Sequence, residues 1–314
     1  MMATTMDAPS LIALLRERDV KLWVDGDQLK FSAPKGALDA ELLAIVASRK
    51  QDILKCLRQA EALRSSASTI VAIKPEGSKP PIFVVSGHGG DVYYFVALAR
   101  QLDPDQPLLG VQPRGLDGRE PLQSLEALAY FEVAEIRRYQ PQGPYLIAGH
   151  CSGGTLAFEV AQQLIAAGQD VALLALIGSP FPTIFKPVPQ LFYRFSRHAK
   201  GLLWGSLEER QRYIENKLQR RAAASTARNI PQMAARERVE SATMASVRRY
   251  KPRYYPGQID LFVTSDEWRQ SRPWRSLAET VREHDLTDYG RDELLLGSKT
   301  PALAAALTNR LRTI

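Results

Sequence analysis

The sequence predicts an α/β class with a mostly parallel sheet, and three observations carry that reading. Continuous apolar runs at Ile82–Val85, Leu108–Val111, Tyr145–Ala148 and Val171–Ile177 have the composition of strands buried on both faces. Segments with helical periodicity separate them: Tyr94–Leu102, Leu125–Tyr139 and Gly154–Ala167, the last closed by Gly168 as a C-cap. At one strand-to-helix junction stands the glycine-rich turn Gly149-His150-Cys151-Ser152-Gly153-Gly154.

Ahead of this alternation lies a separate block, residues 1–60. Leu11, Ile12, Leu14 and Leu15 give one helical stripe. Val20–Val24 and Gln28–Phe31 flank Asp25-Gly26-Asp27, and Asp-Gly between short apolar strands is a hairpin signal. Helices are expected around Ala40–Ala47 and Arg49–Leu57. Residues 61–79, which include the serine-rich Arg64–Ser68, read as a linker. The large domain then spans 80–314, with late strands at Gln258–Val263 and Thr280–Leu286. The helical insertion between its early and late strands, about 183–255, reads as a lid.

Composition bounds the possible functions. Of 314 residues, 45% are hydrophobic and 24% charged, which excludes disordered, collagen-like and disulfide-scaffold chains. Two cysteines, Cys56 and Cys151, make no disulfide framework, and a reducing, cytoplasmic setting is expected. Met1–Ser10 lacks the pattern of a secretory signal, and Val171–Ile177 is far too short to span a membrane. The net charge of +7 is concentrated: Lys186–Arg253 holds 16 basic and 5 acidic residues. No nucleic-acid-binding motif accompanies this surplus, so it suits either a solvated helical face or a landing surface for an acidic protein.

The junction motif has the form G-x-S-x-G of a nucleophile elbow, with cysteine in the reacting position. A thiol at a helix N-terminus is favoured as thiolate, so Cys151 is the candidate nucleophile. Acyl transfer also needs donors for the developing oxyanion. The amide after the nucleophile, on Ser152, supplies one; the glycine-rich loop Ser86-Gly87-His88-Gly89-Gly90 offers the other, at His88. Cys56 reads as a small core residue, and neither a metal nor a bound cofactor is expected.

With these motifs in view, Pro80–Leu174 resembles the thioesterase domain of nonribosomal peptide and polyketide synthases. The carrying stretches are Gln112-Pro113-Arg114-Gly115-Leu116-Asp117-Gly118, Gln140-Pro141-Gln142-Gly143-Pro144-Tyr145 and Ala157-Phe158-Glu159-Val160-Ala161. The likeness extends over most of Pro80–Leu311 and is weakest in the lid. It implies an α/β-hydrolase sheet with a helical lid. The front block is similar to the TubC-type N-terminal docking domain, through Gly26-Asp27-Gln28-Leu29 and Ala33-Pro34-Lys35-Gly36-Ala37-Leu38. That likeness implies a module that captures a terminal segment of an upstream synthase subunit. It also implies a substrate delivered as a thioester on a carrier protein's phosphopantetheine arm.

The sequence departs from that family's pattern in three places. Cysteine replaces the usual serine, and Gly178 stands where the acid tends to follow the strand after the elbow helix. Some relatives carry the acid one strand later, which points to Asp266. Four histidines are present; His150 fills the variable position of the elbow and His198 lies in the lid, which leaves His284 as the expected base. His284 falls within a strand, however, while Asp292 takes the place where the family's histidine normally lies, and the alternative is a triad that has lost its usual base. A cysteine site without a strong base favours transfer or cyclisation over hydrolysis. Release by hydrolysis, cyclising release, relay to a second carrier and a silent carrier-binding adaptor all remain open at this stage.

Overall fold

The computed structural model describes residues 8–18, 20–33, 37–65, 69–90, 92–185, 231–264, 271–288, 295 and 300–314. These residues belong to two compact units.

The N-terminal unit is built as its sequence pattern requires. Helix α1 (Ala8–Glu17) leads to the hairpin β1 (Lys21–Asp25) and β2 (Gln28–Ser32), then to α2 (Ala40–Ser48) and α3 (Lys50–Ser65). Gly26 turns the hairpin at φ +59, a conformation that costs glycine nothing, and Asp25 pairs Gln28 across it. Asp39 caps α2 by accepting from the Leu42 N–H at 2.7 Å. Leu11, Leu15, Val20, Leu42, Ile53 and Leu57 close a small core, with Cys56 packed at its edge. Arg58 ties α3 to the turn through the Gly26 carbonyl and the Asp27 carboxylate.

The second unit holds a seven-stranded sheet of order β3-β5-β4-β6-β7-β8-β9. Its strands are β3 (Ile70–Lys74), β4 (Ile82–Val85), β5 (Leu108–Val111), β6 (Tyr145–His150), β7 (Val171–Ile177), β8 (Tyr255–Thr264) and β9 (Ala278–Leu286). All neighbours are parallel except β3 and β5. Among the described residues its helices are α4 (Phe95–Gln101), α5 (Leu125–Tyr139), α6 (Ser152–Ala166), α8 (Thr300–Leu311) and most of α7 (Pro231–Arg249).

One expectation is corrected here. Residues 61–79 are not a bare linker: α3 runs on to Ser65, and Ile70–Lys74 adds an antiparallel edge strand to β5. The reason is legible in the residues, since Val71 is buried against the sheet's core beside Ile82 and Leu108.

Period-two alternation divides the sheet's side chains between two layers. Ile82, Val84, Ala148, Ala175, Ile177 and Phe262 pack with Phe95 and Leu98 of α4 and with Leu303 and Leu307 of α8. The opposite face meets α5 and α6: Phe83 makes an edge contact with Tyr139, and Phe158 packs on Tyr255 and Trp274. Helix α7 is held to α6 where Tyr250, just past its end, donates to Glu159 Oε2 at 2.6 Å.

Two buried carboxyls behave oppositely. Asp260 on β8 is wholly buried; burial pushes its pKa up, but hydrogen bonds from His284 and Arg310, with the Arg310 charge, hold it below its ordinary value. Glu132 on α5 is also wholly buried, neither oxygen has a hydrogen-bond partner among the described residues, and burial raises its pKa well above the ordinary value. Above 4.5 the unfolded chain ionises Glu132 while the folded chain still holds the proton. Its contribution to stability is therefore full below that value and is lost as pH rises through the raised native one. Glu132→Gln should flatten this dependence, raising the melting temperature at neutral and alkaline pH but hardly at acidic pH. Each kcal/mol recovered is worth about 2–4 °C. Thermal melts of both proteins across pH would check it; parallel curves would show that the acid is not buried as described.

Candidate active site

The site is built on the end of β6, the central strand, where the chain reverses into α6 within one residue. That residue is Cys151, at φ 54 and ψ −125, alone among the described non-glycine residues in having a positive φ. The strain is held by hydrogen bonds on both sides: the Cys151 N–H donates to the Ile177 carbonyl at 3.1 Å, and its carbonyl accepts from Gly154 N–H at 3.1 Å. Two glycines make the turn possible by close approach. A Cβ on Gly149 would lie 2.4 Å from the Gly153 oxygen, and one on Gly153 would lie 2.8 Å from the Ser86 oxygen. Cys151 is half-buried and outside any disulfide, at the positive end of a long helix that is itself largely buried.

The loop after β4 lies beside the elbow. The His88 N–H donates to Ser152 Oγ at 3.1 Å, and the His88 ring Nδ1 lies 3.2 Å from the same oxygen. Gly87 N–H donates to the Tyr94 hydroxyl at 2.8 Å, which fixes the loop from beneath. The structure therefore brings His88 and Ser152 together. The amide of Ser152 is the first of α6 and has no acceptor within the helix.

His284 is placed elsewhere, and the expectation of a base at that residue is corrected. It lies inside β9, in register with Phe262 of β8, which pairs with Ile177 of β7, which pairs with His150 of β6. Three strand spacings, about 14 Å, separate it from the elbow, beyond the reach of an imidazole. Its Nε2 is 2.9 Å from Asp260 Oδ1, its ring stacks on Phe262, and Arg310 Nε donates to both Asp260 oxygens at 2.9 and 2.8 Å. This cluster fastens α8 to the sheet. Gly178, at the end of β7, donates its N–H to the Phe262 carbonyl at 2.9 Å and brings no carboxylate to the site. Asp266, Asp292, His198 and the lid residues 186–230 lie outside the described residues.

Sequence reasoning missed what α7 contributes. Glu240 Oε1 lies 3.6 Å from His88 Nε2, and Arg236 Nε lies 3.5 Å from the Gly89 carbonyl. Arg236 and Glu240 are four residues apart and share a helix face, which is visible in the sequence; that this face meets the loop after β4 is not. At the other end of α7, Arg249 donates to the Gln123 carbonyl at 2.5 Å, and beyond it Arg253 lies 3.8 Å from Glu159, so part of the basic surplus is spent on internal contacts. Among the described residues no helix is long and apolar enough to cross a membrane, and no cluster of His, Cys, Asp or Glu could hold a metal ion.

His284→Gln tests the reassignment. It should lower stability by about 1–3 kcal/mol through loss of a hydrogen bond to a buried carboxylate, while alkylation of Cys151 proceeds at the wild-type rate. A collapse of Cys151 reactivity in a fully folded variant would restore His284 to the site.

Comparison with known proteins agrees with this architecture. Residues 80–290 match the model of the Thioesterase domain family, and residues 9–59 match the TubC N-terminal docking domain. Malpinin synthetase of Mortierella alpina is 41% identical over 116 residues, covering 37% of this chain and 2% of that protein. A dimodular nonribosomal peptide synthase of Bacillus subtilis is 32% identical over 128 residues, covering 40% of this chain and 5% of that one. The chain thus spans only a small part of the curated relatives it matches. Among solved structures, the NocB thioesterase domain in covalent complex with a fluorophosphonate nocardicin G analogue superimposes with TM-score 0.56 at 21% identity, over 77% of this chain and 99% of that one. At that identity the likeness is one of fold.

Proposed function

From the premise that the chain belongs to the Thioesterase domain family, with a TubC N-terminal docking domain ahead of the catalytic fold, we propose that it is a cysteine acyltransferase of a peptide or polyketide assembly line. Cys151 takes an acyl or peptidyl chain from the phosphopantetheine thioester of a carrier protein and then releases or relays it. The observation that carries this reading is a thiol at φ 54 on the strand-to-helix reversal, at the N-terminus of α6.

The Cys151 thiolate adds to the thioester carbonyl carbon, and the developing oxyanion takes hydrogen bonds from the amides of Ser152 and His88. The His88 amide must first exchange Ser152 Oγ for the substrate oxygen. Collapse of the tetrahedral adduct breaks the bond to the phosphopantetheine sulfur, which departs as thiolate and takes a proton from water. The acyl group is left as a thioester on Cys151. Thioester-for-thioester exchange is nearly isoenergetic, so the acyl group keeps its potential for a second transfer. An amine or thiol acceptor needs less activation than water, which favours cyclisation or relay over hydrolysis at a site without a strong base.

Intact-protein mass spectrometry with acyl-loaded carrier protein tests the assignment. Wild type should gain the acyl mass on Cys151, and Cys151→Ala should gain none while remaining folded. Cys151→Ser should load at least about 10²-fold more slowly, since an alcohol needs the general base a thiol can do without. Absence of any adduct on wild type would favour a silent carrier-binding adaptor instead.

The N-terminal unit is proposed to capture a terminal segment of the upstream subunit. In support, β2 pairs only with β1 among the described strands, and Phe31 on it is 47% exposed. Phe31→Glu should weaken turnover of acyl chains presented by the cognate subunit by about tenfold or more, and leave turnover of a small soluble thioester unchanged. Equal kinetics with both donors would remove Phe31 from any docking surface.

A further inference from the structure

The loop after β4 carries two adjacent amides, and each is met by a side-chain hydroxyl. Gly87 N–H donates to the Tyr94 hydroxyl at 2.8 Å, and His88 N–H donates to Ser152 Oγ at 3.1 Å. The flanking amides bond to backbone: Ser86 N–H donates to the Val111 carbonyl at 3.2 Å, and Gly90 N–H turns back to the Gly87 carbonyl at 3.0 Å. Gly87 stands where three elements converge. A Cβ there would lie 3.2 Å from the Tyr94 oxygen, 3.8 Å from Ser152 Oγ and 3.9 Å from the His150 carbonyl oxygen.

The two hydroxyl contacts have different fates when a substrate arrives. His88 N–H must leave Ser152 Oγ in order to receive a carbonyl oxygen, so that tie opens in the reacting complex. The Tyr94 tie carries no such duty and persists. Its anchor is rigid: Tyr94 is the residue from which α4 starts, its ring lies 4.8 Å from that of Phe95, and Phe95 is wholly buried in the core. The ring contacts of His88, with Ser152 Oγ at Nδ1 and the exposed Glu240 at Nε2, hold its side chain and not its amide.

Resting on the reading of the Ser152 and His88 amides as donors to the oxyanion, we propose that Tyr94 is the positioning residue of this loop. Its hydroxyl occupies Gly87 N–H and thereby fixes the next peptide, so that His88 N–H keeps its place while the Ser152 contact opens. Donors stabilise an oxyanion to the extent that they are already in place, and a loop that reorganises during the reaction loses part of that effect.

Tyr94→Phe keeps the ring and removes the oxygen, and three measurements on the full chain test it. Alkylation of Cys151 by iodoacetamide displaces iodide from a saturated carbon and develops no oxyanion, so it should proceed at the wild-type rate. Peptide mass spectrometry scores Cys56 separately. Octanal adds reversibly to the thiol as a hemithioacetal, whose oxygen calls on the same two amides. The octanal concentration that protects Cys151 from iodoacetamide should rise about tenfold, less than the ~10²–10³ that outright removal of an oxyanion donor costs. The maximal rate of acyl loading from the octanoyl thioester of N-acetylcysteamine should fall to match, with the half-saturating concentration unchanged.

Equal octanal protection in both proteins would overturn the proposal. So would alkylation that falls in step with protection, since that marks damage to the elbow as a whole. Should Tyr94→Phe fail to fold, Gly87→Ala presses a Cβ toward the same oxygen from the loop's side and must give the same pattern. A wild type that octanal protects but that takes no acyl group from the thioester defeats the acyl-acceptor reading and leaves the Tyr94 comparison standing. A wild type that octanal does not protect defeats both.

Discussion

Everything at the site depends on reversing the chain from β6 into α6 through one residue. The reversal demands φ 54 at Cys151, a backbone state that an L-residue adopts only when its surroundings force it. The forcing is visible on each side. The Cys151 amide is claimed by the Ile177 carbonyl of β7, and its carbonyl by Gly154. Gly149 and Gly153 let the first turn of α6 lie against β4, so that the Ser86–Gly90 loop comes alongside Ser152. A side chain at either glycine would push that loop off the elbow. The same reversal turns the positive end of α6 toward the thiol, so a local constraint on backbone geometry produces the electrostatics of the site.

Two imidazole–carboxylate pairs sit in this unit, and their surroundings give them different characters. Around His284 the carboxylate of Asp260 is wholly buried and shared with Arg310, which neutralises it from the other side. Such a carboxylate has no freedom to follow a proton, and its arginine binds α8 to β8, so the pair holds the fold together. Around His88 the carboxylate of Glu240 is exposed, without an arginine bound to it among the contacts described, and both partners remain open to solvent. An exposed pair of this kind contributes little to stability. Gly178 brings no acid to the elbow and His284 is seated inside a strand, so the imidazoles near the elbow among the described residues are His150, within it, and His88, on the loop that contacts Ser152.

Much of this was legible in the sequence, and the exceptions have physical causes. The strands Ile82–Val85, Leu108–Val111 and Val171–Ile177 were readable because sheets covered on both faces demand continuous apolar runs, and the hairpin was readable because Asp25-Gly26-Asp27 fits few other turns. The elbow was readable because close packing at Gly149 and Gly153 leaves glycine little alternative. Strand β3 was missed because an edge strand needs only one buried face, and Val71 among polar neighbours is a weak signal. His284 was misassigned because order along the chain says which strand a residue belongs to, not how many strands lie between it and the nucleophile. Glu240 was invisible for the same reason: its partner His88 is 152 positions away, and no local pattern encodes that meeting.

The substitution of sulfur for oxygen at the nucleophile and the dispersal of the usual triad are, on the proposed reading, parts of one arrangement. A serine alkoxide is inaccessible near neutral pH without a base, so a serine elbow must keep its imidazole within hydrogen-bond reach. A thiolate needs only a favourable potential, and potentials act over several ångströms. That relaxes the geometric demand: the N-terminus of a helix can favour the thiolate where a contact base is otherwise required. The position after the last strand is then freed from catalytic duty, and the imidazole retained within the strand can be committed to Asp260 and the packing of α8. The cost is specific. A site activated by field and not by a contact base polarises incoming water poorly, so the acyl group on Cys151 waits for an acceptor that is already nucleophilic, and the choice between release and relay passes to whatever amine or thiol the assembly line brings to the elbow.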